Sequence, residues 1–467
     1  MNDEVRRETL RVWSTTPEDR SSLPYREAID WLLSFADFER SGRFQDRPDV
    51  APMLALLERL GNPHLGRTTV HIAGSKGKGS VAAMVESILR SEGLLTGLYT
   101  SPHLHSYCER IRIDSNPVSQ DEIFAFLVEE QLRPAVEAEL EILDDRRFVT
   151  FDLLTALAFL IFRDYSDIQI VEVGLGGRVD STNVFETKEV AVITPISLEH
   201  TAILGDTVEQ IAREKAAIIR PGCTVVMASQ PYQDAERVIR EFAQAAGAPV
   251  IDVGREYNWQ KLSHDLAGQD IRIEGFHRVV EARLPLLGVH QIDNAATSIA
   301  CIDALSLSDR EDIFEAGTAN IVEGLAHVRW PGRMEVLREH PLVICDGAHN
   351  RDSAQRLRET LVDYFACDRA LFVIGCGSDK DIDGLAEELA PLASHVIAVR
   401  SNHPRAMAPE RITEAFGRLN IDSEIGDSVG EAVDKAIAVG GESALICVAG
   451  SLFVAAEARE HFGLTTA

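Results

Sequence analysis

The sequence predicts an α/β protein in two parts: an N-terminal phosphate-loop domain with a mostly parallel sheet and a small β-subdomain, then a smaller α/β C-terminal domain. Three stretches predict this. Residues 68–92 read as strand, glycine loop and helix. Residues 250–290 read as short alternating strands. From 342 onward apolar strands alternate with helices, the pattern of a parallel sheet. At 467 residues the chain exceeds one ordinary core. The expected division is 1–326 for the first domain, with its β-subdomain near 250–290, 327–334 for a hinge, and 335–467 for the second domain.

The first stretch organises the rest. Thr68-Thr69-Val70-His71-Ile72-Ala73 is a short, β-branched, buried strand, and Gly74-Ser75-Lys76-Gly77-Lys78-Gly79-Ser80 follows as a tight loop. Val81, Met84, Val85, Ile88 and Leu89 recur at helical spacing, and Gly93 sits where that helix stops. In this context the glycines let backbone N–H groups converge on an anion, and the helix N-terminus adds positive potential. Lys78 can reach outer phosphates, and Ser80 offers a hydroxyl to Mg²⁺ or to a phosphate. The loop departs from the standard Walker pattern: only two residues separate Gly74 from Gly77, and Gly79 intervenes between Lys78 and Ser80.

Composition narrows the class. Apolar content of 45% and charged content of 26% suit a soluble enzyme. A net charge of −28 argues against non-specific nucleic-acid or acidic-membrane binding, though local cations can still receive an anionic substrate. Seven scattered cysteines without a C-x-x-C pair point to a reducing compartment and no zinc site. Met1 to Arg7 is polar, so no signal peptide is expected, and the longest apolar run, Leu153 to Phe162, is too short to span a bilayer. These readings place the protein in the cytoplasm.

Taken in order, residues 1–23 are polar and peripheral. Tyr25–Phe38 and Val50–Leu60 carry helical apolar spacing, the second stopped by Gly61-Asn62-Pro63. Leu94–Thr100 is a strand ending in Ser101-Pro102-His103, where open α/β sheets bind ligands. Ser119 with Glu122 reads as a capping box, residues 143–148 as a loop, and Phe151–Phe162 as a core helix with Asp152 as a helix-start charge. Strand Ile168–Val173 carries Glu172 near its end. A buried carboxylate there is costly unless a cation pairs with it, and Mg²⁺ suits an oxygen ligand. Arg178 and Asp180, in the following glycine loop, read as a local ion pair. Strand Val190–Thr194 precedes His200; helix Thr207–Ile219 carries Lys215; Thr224–Ala228 is a further strand; a helix after His290 carries Asn294; and a helix over 311–323 closes at Gly324.

Trp330-Pro331-Gly332-Arg333 breaks structure between two periodic regions. Beyond it four strands release polar residues at their C-terminal ends: Leu342–Cys345 into Asp346-Gly347-Ala348-His349-Asn350, Ala370–Gly375 into Cys376–Asp381, His395–Val399 into Arg400–Arg405, and Ala444–Val448 into Ala449-Gly450-Ser451. That repetition predicts a crevice facing the phosphate loop. No second phosphate loop occurs, so this domain positions a co-substrate.

His71 to Ser80 resembles the nucleotide loop of folylpolyglutamate and dihydrofolate synthases, ATP-dependent amide ligases related to the muramyl-peptide (Mur) ligases. The resemblance continues through Ser101-Pro102-His103, Glu172 and its glycine loop to Asn183, His200, Lys215, Asn294, Arg333 and Asp346-Gly347-Ala348-His349, over roughly residues 25–460. Many members carry Asn where Lys76 stands, and Arg351 replaces the usual proline. The resemblance implies a Rossmann-like second domain and ATP held by Gly74, Ser75, Lys76, Gly77, Lys78, Gly79 and Ser80, with Asn294 at adenine, Asp346 at ribose and Arg333 also at the nucleotide. It implies Mg²⁺ at Ser101, Glu172 and His200, a carbamate on Lys215 supporting a second metal, and His349 and Ser451 near the acyl phosphate and the incoming L-glutamate. Lys78, Lys215 and His349 are thus the expected catalytic groups, acting on a folate or pteroate in a monomer. Two rival readings are another Mur-type amide ligase and a non-catalytic nucleotide-binding switch; whether dihydropteroate, reduced folates or both are accepted stays open.

Overall fold

The structure, a computed structural model, describes residues 23–41, 49–142, 148–307 and 316–465. The peripheral N-terminal stretch up to residue 22, most of the loop at 143–148 and the start of the helix expected from 311 lie outside them.

Eight strands form the first sheet: β1 (Thr68–Ala73), β2 (Thr96–Tyr99), β3 (Ile111–Ile113), β4 (Asn116–Pro117), β5 (Ile168–Glu172), β6 (Val190–Ile193), β7 (Thr224–Met227) and β8 (Val250–Asp252). Their order is β4-β3-β2-β5-β1-β6-β7-β8. All neighbours run parallel except β2–β3 and β3–β4. Val70, Ile72, Ile170 and Val192 are fully buried, the unbroken apolar signature of strands covered on both faces. Helices Lys78–Ser91 and Val289–Ser306 pack on one face, and Thr150–Tyr165 on the other. Ile72 of β1 pairs with Glu172 of β5, and Ala73 with Ile193 of β6. The glycine loop therefore leaves the sheet between the ends of those two neighbours.

The β-subdomain is narrower than expected. Strand β8 joins the main sheet, because Val250–Asp252 continues the parallel ladder from β7. The separate sheet begins at Asn258, with β9 (Asn258–Asp265), β10 (Gly268–Glu274) and β11 (Val279–Leu284) in antiparallel order. It leans on the second domain, where Tyr364 donates to Gln269 at 2.6 Å and Lys261 meets Asp363 at 2.7 Å.

The second sheet holds β12 (Glu335–Arg338), β13 (Leu342–Cys345), β14 (Ala370–Ile374), β15 (Ala393–Ala398), β16 (Ser423–Ile425) and β17 (Leu445–Ala449), ordered β12-β13-β17-β14-β15-β16. Only β12 runs antiparallel. The four expected strands are present. The edge strands β12 and β16 and the helix Gln233–Ala246 are additions that the sequence reading did not contain.

Three local readings change. Ser119 makes no side-chain cap, and Gln120–Ala125 winds in wide turns; the side chain of its expected partner Glu122 lies outside what is described. Arg178 pairs with Glu214 at 2.9 Å, while Asp180 accepts from Leu175, Thr182 N and Thr182 Oγ. The two residues therefore do not pair with each other. Gly324 does not end a helix: it lies inside Thr318–His327, buried against the helix Lys78–Ser91. A Cβ on it would stand 2.4 Å from Ile88 Cα, and its carbonyl accepts from Ser87 Oγ at 2.7 Å. The glycine permits a close helix crossing. Alanine is ordinarily the better helix residue by about 1 kcal/mol. Gly324→Ala should instead lower stability by about 2 kcal/mol through overpacking, read as a lower denaturant midpoint at constant slope.

Candidate active site

The phosphate loop is built by close approach. Gly74 has φ +148° and a Cβ there would fall 1.9 Å from Thr194 Oγ1; Gly77 has φ +85° and a Cβ there would fall 2.4 Å from Asn294 Oδ1. Neither position admits a side chain. Ser75 N and Lys76 N donate to Pro195 O at 3.0 and 3.1 Å, which staples the loop to the segment after β6. Gly77 caps the helix Lys78–Ser91, whose first intrahelical bond runs from Val81 N to Gly77 O. The N–H groups of Lys78, Gly79 and Ser80 precede it, at the positive end of the helix dipole.

Charged groups gather around this loop. Lys78 Nζ stands 3.9 Å from Glu172 Oε1, and Glu172 Oε2 accepts from Ser101 N at 3.2 Å. Burial raises the Glu172 carboxyl above its ordinary range, opposed mainly by Lys78. Lys76 lies 3.4 Å from Glu199, and His200 lies 3.4 Å from the other oxygen of the same carboxylate. Burial disfavours ionised Glu199, but Lys76, His200 and Lys78 outweigh it and hold the carboxyl well below the usual range. Lys215 is 4% exposed and donates to Gly74 O at 2.9 Å, so it supports the loop from behind. Burial, with Lys78 adding repulsion, lowers its ammonium to about 7.

The second domain supplies the opposite wall. Asp346 accepts from Met334 N at 2.9 Å and Ala348 N at 2.8 Å, and Arg333 is the charge that most offsets its burial. His349 Nδ1 donates to Gly347 O at 2.8 Å, which leaves Nε2 as an acceptor. Burial, then Lys76 and Lys380, lower this imidazole to about 3, so it is neutral at physiological pH. Ser451 caps the helix Leu452–His461 through Val454 N.

These walls enclose one cavity of about 650 Å³ between the domains. Ser75–Ser80, Ser101, Glu172, His200, Asn294, Arg333, Asp346, His349 and Ser451 all line it. The polar ends of β13, β14, β15 and β17 meet there, as the repeated strand-end pattern predicts. Lys215 and Gly74 do not line it; they form the layer beneath. Asn294 donates to Gln291 at 2.9 Å and abuts Gly77.

The sequence reading missed several lining groups. Glu199, beside His200, bridges it to Lys76. Lys380 and Asp379 follow β14, and Arg405 follows β15, pairing with Asp379 at 2.6 Å and donating to Phe38 O and Glu39 O across the domain boundary. Their signal was position: each sits just past a strand end already noted as polar. Arg356 carried no such signal, because it reaches the cavity from a helix.

Family models for the Mur ligase middle domain and the Mur ligase glutamate ligase domain match residues 148–302 and 332–452. Among curated relatives, the dihydrofolate synthase/folylpolyglutamate synthase of Bacillus subtilis is 34% identical, over 94% of this chain and 99% of its own. A probable bifunctional folylpolyglutamate synthase/dihydropteroate synthase of Haloferax volcanii is 35% identical over 94% of this chain, which spans only 50% of that longer protein. Mycobacterium tuberculosis folylpolyglutamate synthase complexed with ADP superposes with a TM-score of 0.84 at 30% identity, covering 94% of this chain and 98% of that one. E. coli FolC in complex with DHPP and ADP superposes with a TM-score of 0.80 at 30% identity, covering 95% and 98%.

Proposed function

The chain belongs to the folylpolyglutamate synthase/dihydrofolate synthase family of ATP-dependent amide ligases, and on that premise we propose that it joins L-glutamate to a folate, and also to dihydropteroate, using ATP. The observation that carries the reading is the cavity itself: a phosphate loop on one wall and four polar strand ends of the second sheet on the other. A nucleotide switch needs only the first wall.

The residues divide the work. The loop N–H groups and Lys78 hold the nucleotide phosphates, with Asn294 at adenine and Asp346 and Arg333 at the remainder of the nucleotide. The acceptor carboxylate takes the γ-phosphoryl group and becomes an acyl phosphate. The glutamate amine then attacks the acyl carbon, and phosphate leaves. Neutral His349, with Nε2 free to accept, and Ser451 orient the amine. Closure of the second domain about the linker at 327–334, between domains proposed at 1–326 and 335–467, keeps water from the acyl phosphate.

The residues present fit Mg²⁺. Glu172 is a buried carboxylate on the cavity wall whose nearest cation, Lys78, is 3.9 Å away, and Ser101 and His200 line the same cavity. No three His, Cys, Asp or Glu side chains among the described residues converge as a closed cage, and Mg²⁺ is commonly held by one or two carboxylates with phosphates and water. Ser101, Glu172 and His200 would hold it, and when bound it neutralises charge on the transferring phosphoryl group. Lys215 suits a carbamate because its depressed amine is largely neutral above pH 7, the form that captures CO₂. Native mass spectrometry in bicarbonate should show one added CO₂, absent from Lys215→Arg; an unmodified wild-type mass would remove the carbamate.

The cavity is completed within one chain, which supports a monomer. No helix among the described residues is long and apolar enough to cross a membrane, and seven buried free cysteines support a reducing, cytoplasmic setting. Acceptor-dependent ADP release tests the function, comparing 7,8-dihydropteroate with tetrahydrofolate and identifying each glutamyl product by mass. Activity with both is expected. Activity with one assigns a single role. Tight ATP binding with neither acceptor turned over would return the nucleotide-switch and other-ligase readings.

A further inference from the structure

The linker touches both walls of the cavity. On one side Gly332 O accepts from Gly347 N at 3.0 Å and Met334 N donates to Asp346, so the linker holds the Asp346–His349 turn. On the other side Trp330 packs against the first domain's core, with the Arg112 guanidinium 5.7 Å from its ring centroid. The same ring lies against Gly79. An added Cβ there would stand 2.7 Å from Trp330 Cζ2 and 3.2 Å from Cε2.

Gly79 is not required by its backbone. Unlike Gly74 and Gly77 it is outside the left-handed region, and it is the second residue of the helix Lys78–Ser91. Helix propensity favours alanine there. The obstacle to a side chain is the indole. A glycine kept against local preference marks a close approach, and here the approach joins the phosphate loop to the interdomain linker.

We infer that Trp330 is a positioning residue: its ring, seated on the bare Cα of Gly79, holds the phosphate loop and the second domain in register. A phosphate loop displaced by its ligand moves this seat, and a linker displaced by domain opening unseats the loop. The inference rests on the ligase reading only for what the second domain delivers; the contact itself bears on ATP.

The test is a two-residue cycle on the full chain, reading the ATP dissociation constant by equilibrium titration and kcat by acceptor-dependent ADP release. Gly79→Ala should weaken ATP binding about tenfold, because the new methyl pushes the loop off the ring. Trp330→Leu should leave ATP affinity within about threefold and lower kcat about tenfold, since the linker loses its seat. The double variant should recover ATP affinity to within about threefold of Trp330→Leu alone. Additive losses in the double variant would overturn the inference, as would an unchanged kcat in Trp330→Leu. Should Gly79→Ala fail to fold by circular dichroism, the kcat of Trp330→Leu decides alone. A coupled ATP cycle in a protein that turns over neither acceptor would keep the contact and discard the ligase reading.

Discussion

Glu172→Gln should lower ATP-dependent ligation by about a thousandfold while leaving the fold intact, the size expected when preorganised charge at a transferring group is lost. The amide keeps the shape of the carboxylate and one oxygen that can still accept from Ser101 N, which lies 3.2 Å away in the wild type. It loses the charge that faces Lys78 and would hold Mg²⁺. Stability moves the other way. Burial raises the Glu172 carboxyl in the folded protein, so the native state holds its proton to higher pH than the unfolded chain does. Ionising it therefore costs stability as pH rises through the folded value, and nothing below both values. The metal-free glutamine variant escapes that cost, and its advantage in thermal unfolding should grow as pH rises above the ordinary carboxyl range. Near-normal turnover, or a stability difference that shrinks with rising pH, would take Glu172 out of this role.

That carboxylate was legible in the sequence because one-dimensional signals sufficed. A β-branched strand ending in an acidic residue and a glycine run states its own burial problem. The phosphate loop was legible for a similar reason, since strand, glycines and helix are contiguous. The misreadings have the opposite character. Gly324 reads as a helix end because glycine follows many helices, whereas its cause is Ile88, far away in sequence. Gly79 looked like one more loop glycine, and only Trp330 explains it. Arg178 lies two residues from Asp180, yet its partner is Glu214 on the helix Val208–Ala216. Glu199 was visible beside His200, but its link to Lys76 depends on β1 and β6 lying side by side. The short edge strands β12 and β16 carry too few apolar residues to announce themselves. Local chemistry was readable throughout; what the chain could not display was which distant backbone would come close.

Lys78→Met should be nearly as damaging, costing on the order of 10²- to 10³-fold in kcat/KM, because the loop loses the cation that neutralises the transferring phosphoryl group. The substitution also strips Glu172 of its nearest counter-charge, at 3.9 Å, and Lys78 is the first of the influences that keep that buried carboxyl from rising further. Without it the carboxyl climbs, and it ionises at higher pH than in the wild type. Since the carboxylate form is the one that can hold a divalent cation, the residual activity of Lys78→Met should increase with pH over a range where the wild type is flat. The double variant with Glu172→Gln should then lose far less than the product of the two single losses, and its residual activity should no longer depend on pH in that range. Two residues acting as one unit give this non-additivity. Multiplicative losses, with matching pH profiles in the single and double variants, would show that Lys78 serves the phosphates alone and that Glu172 is held by something other than this pair.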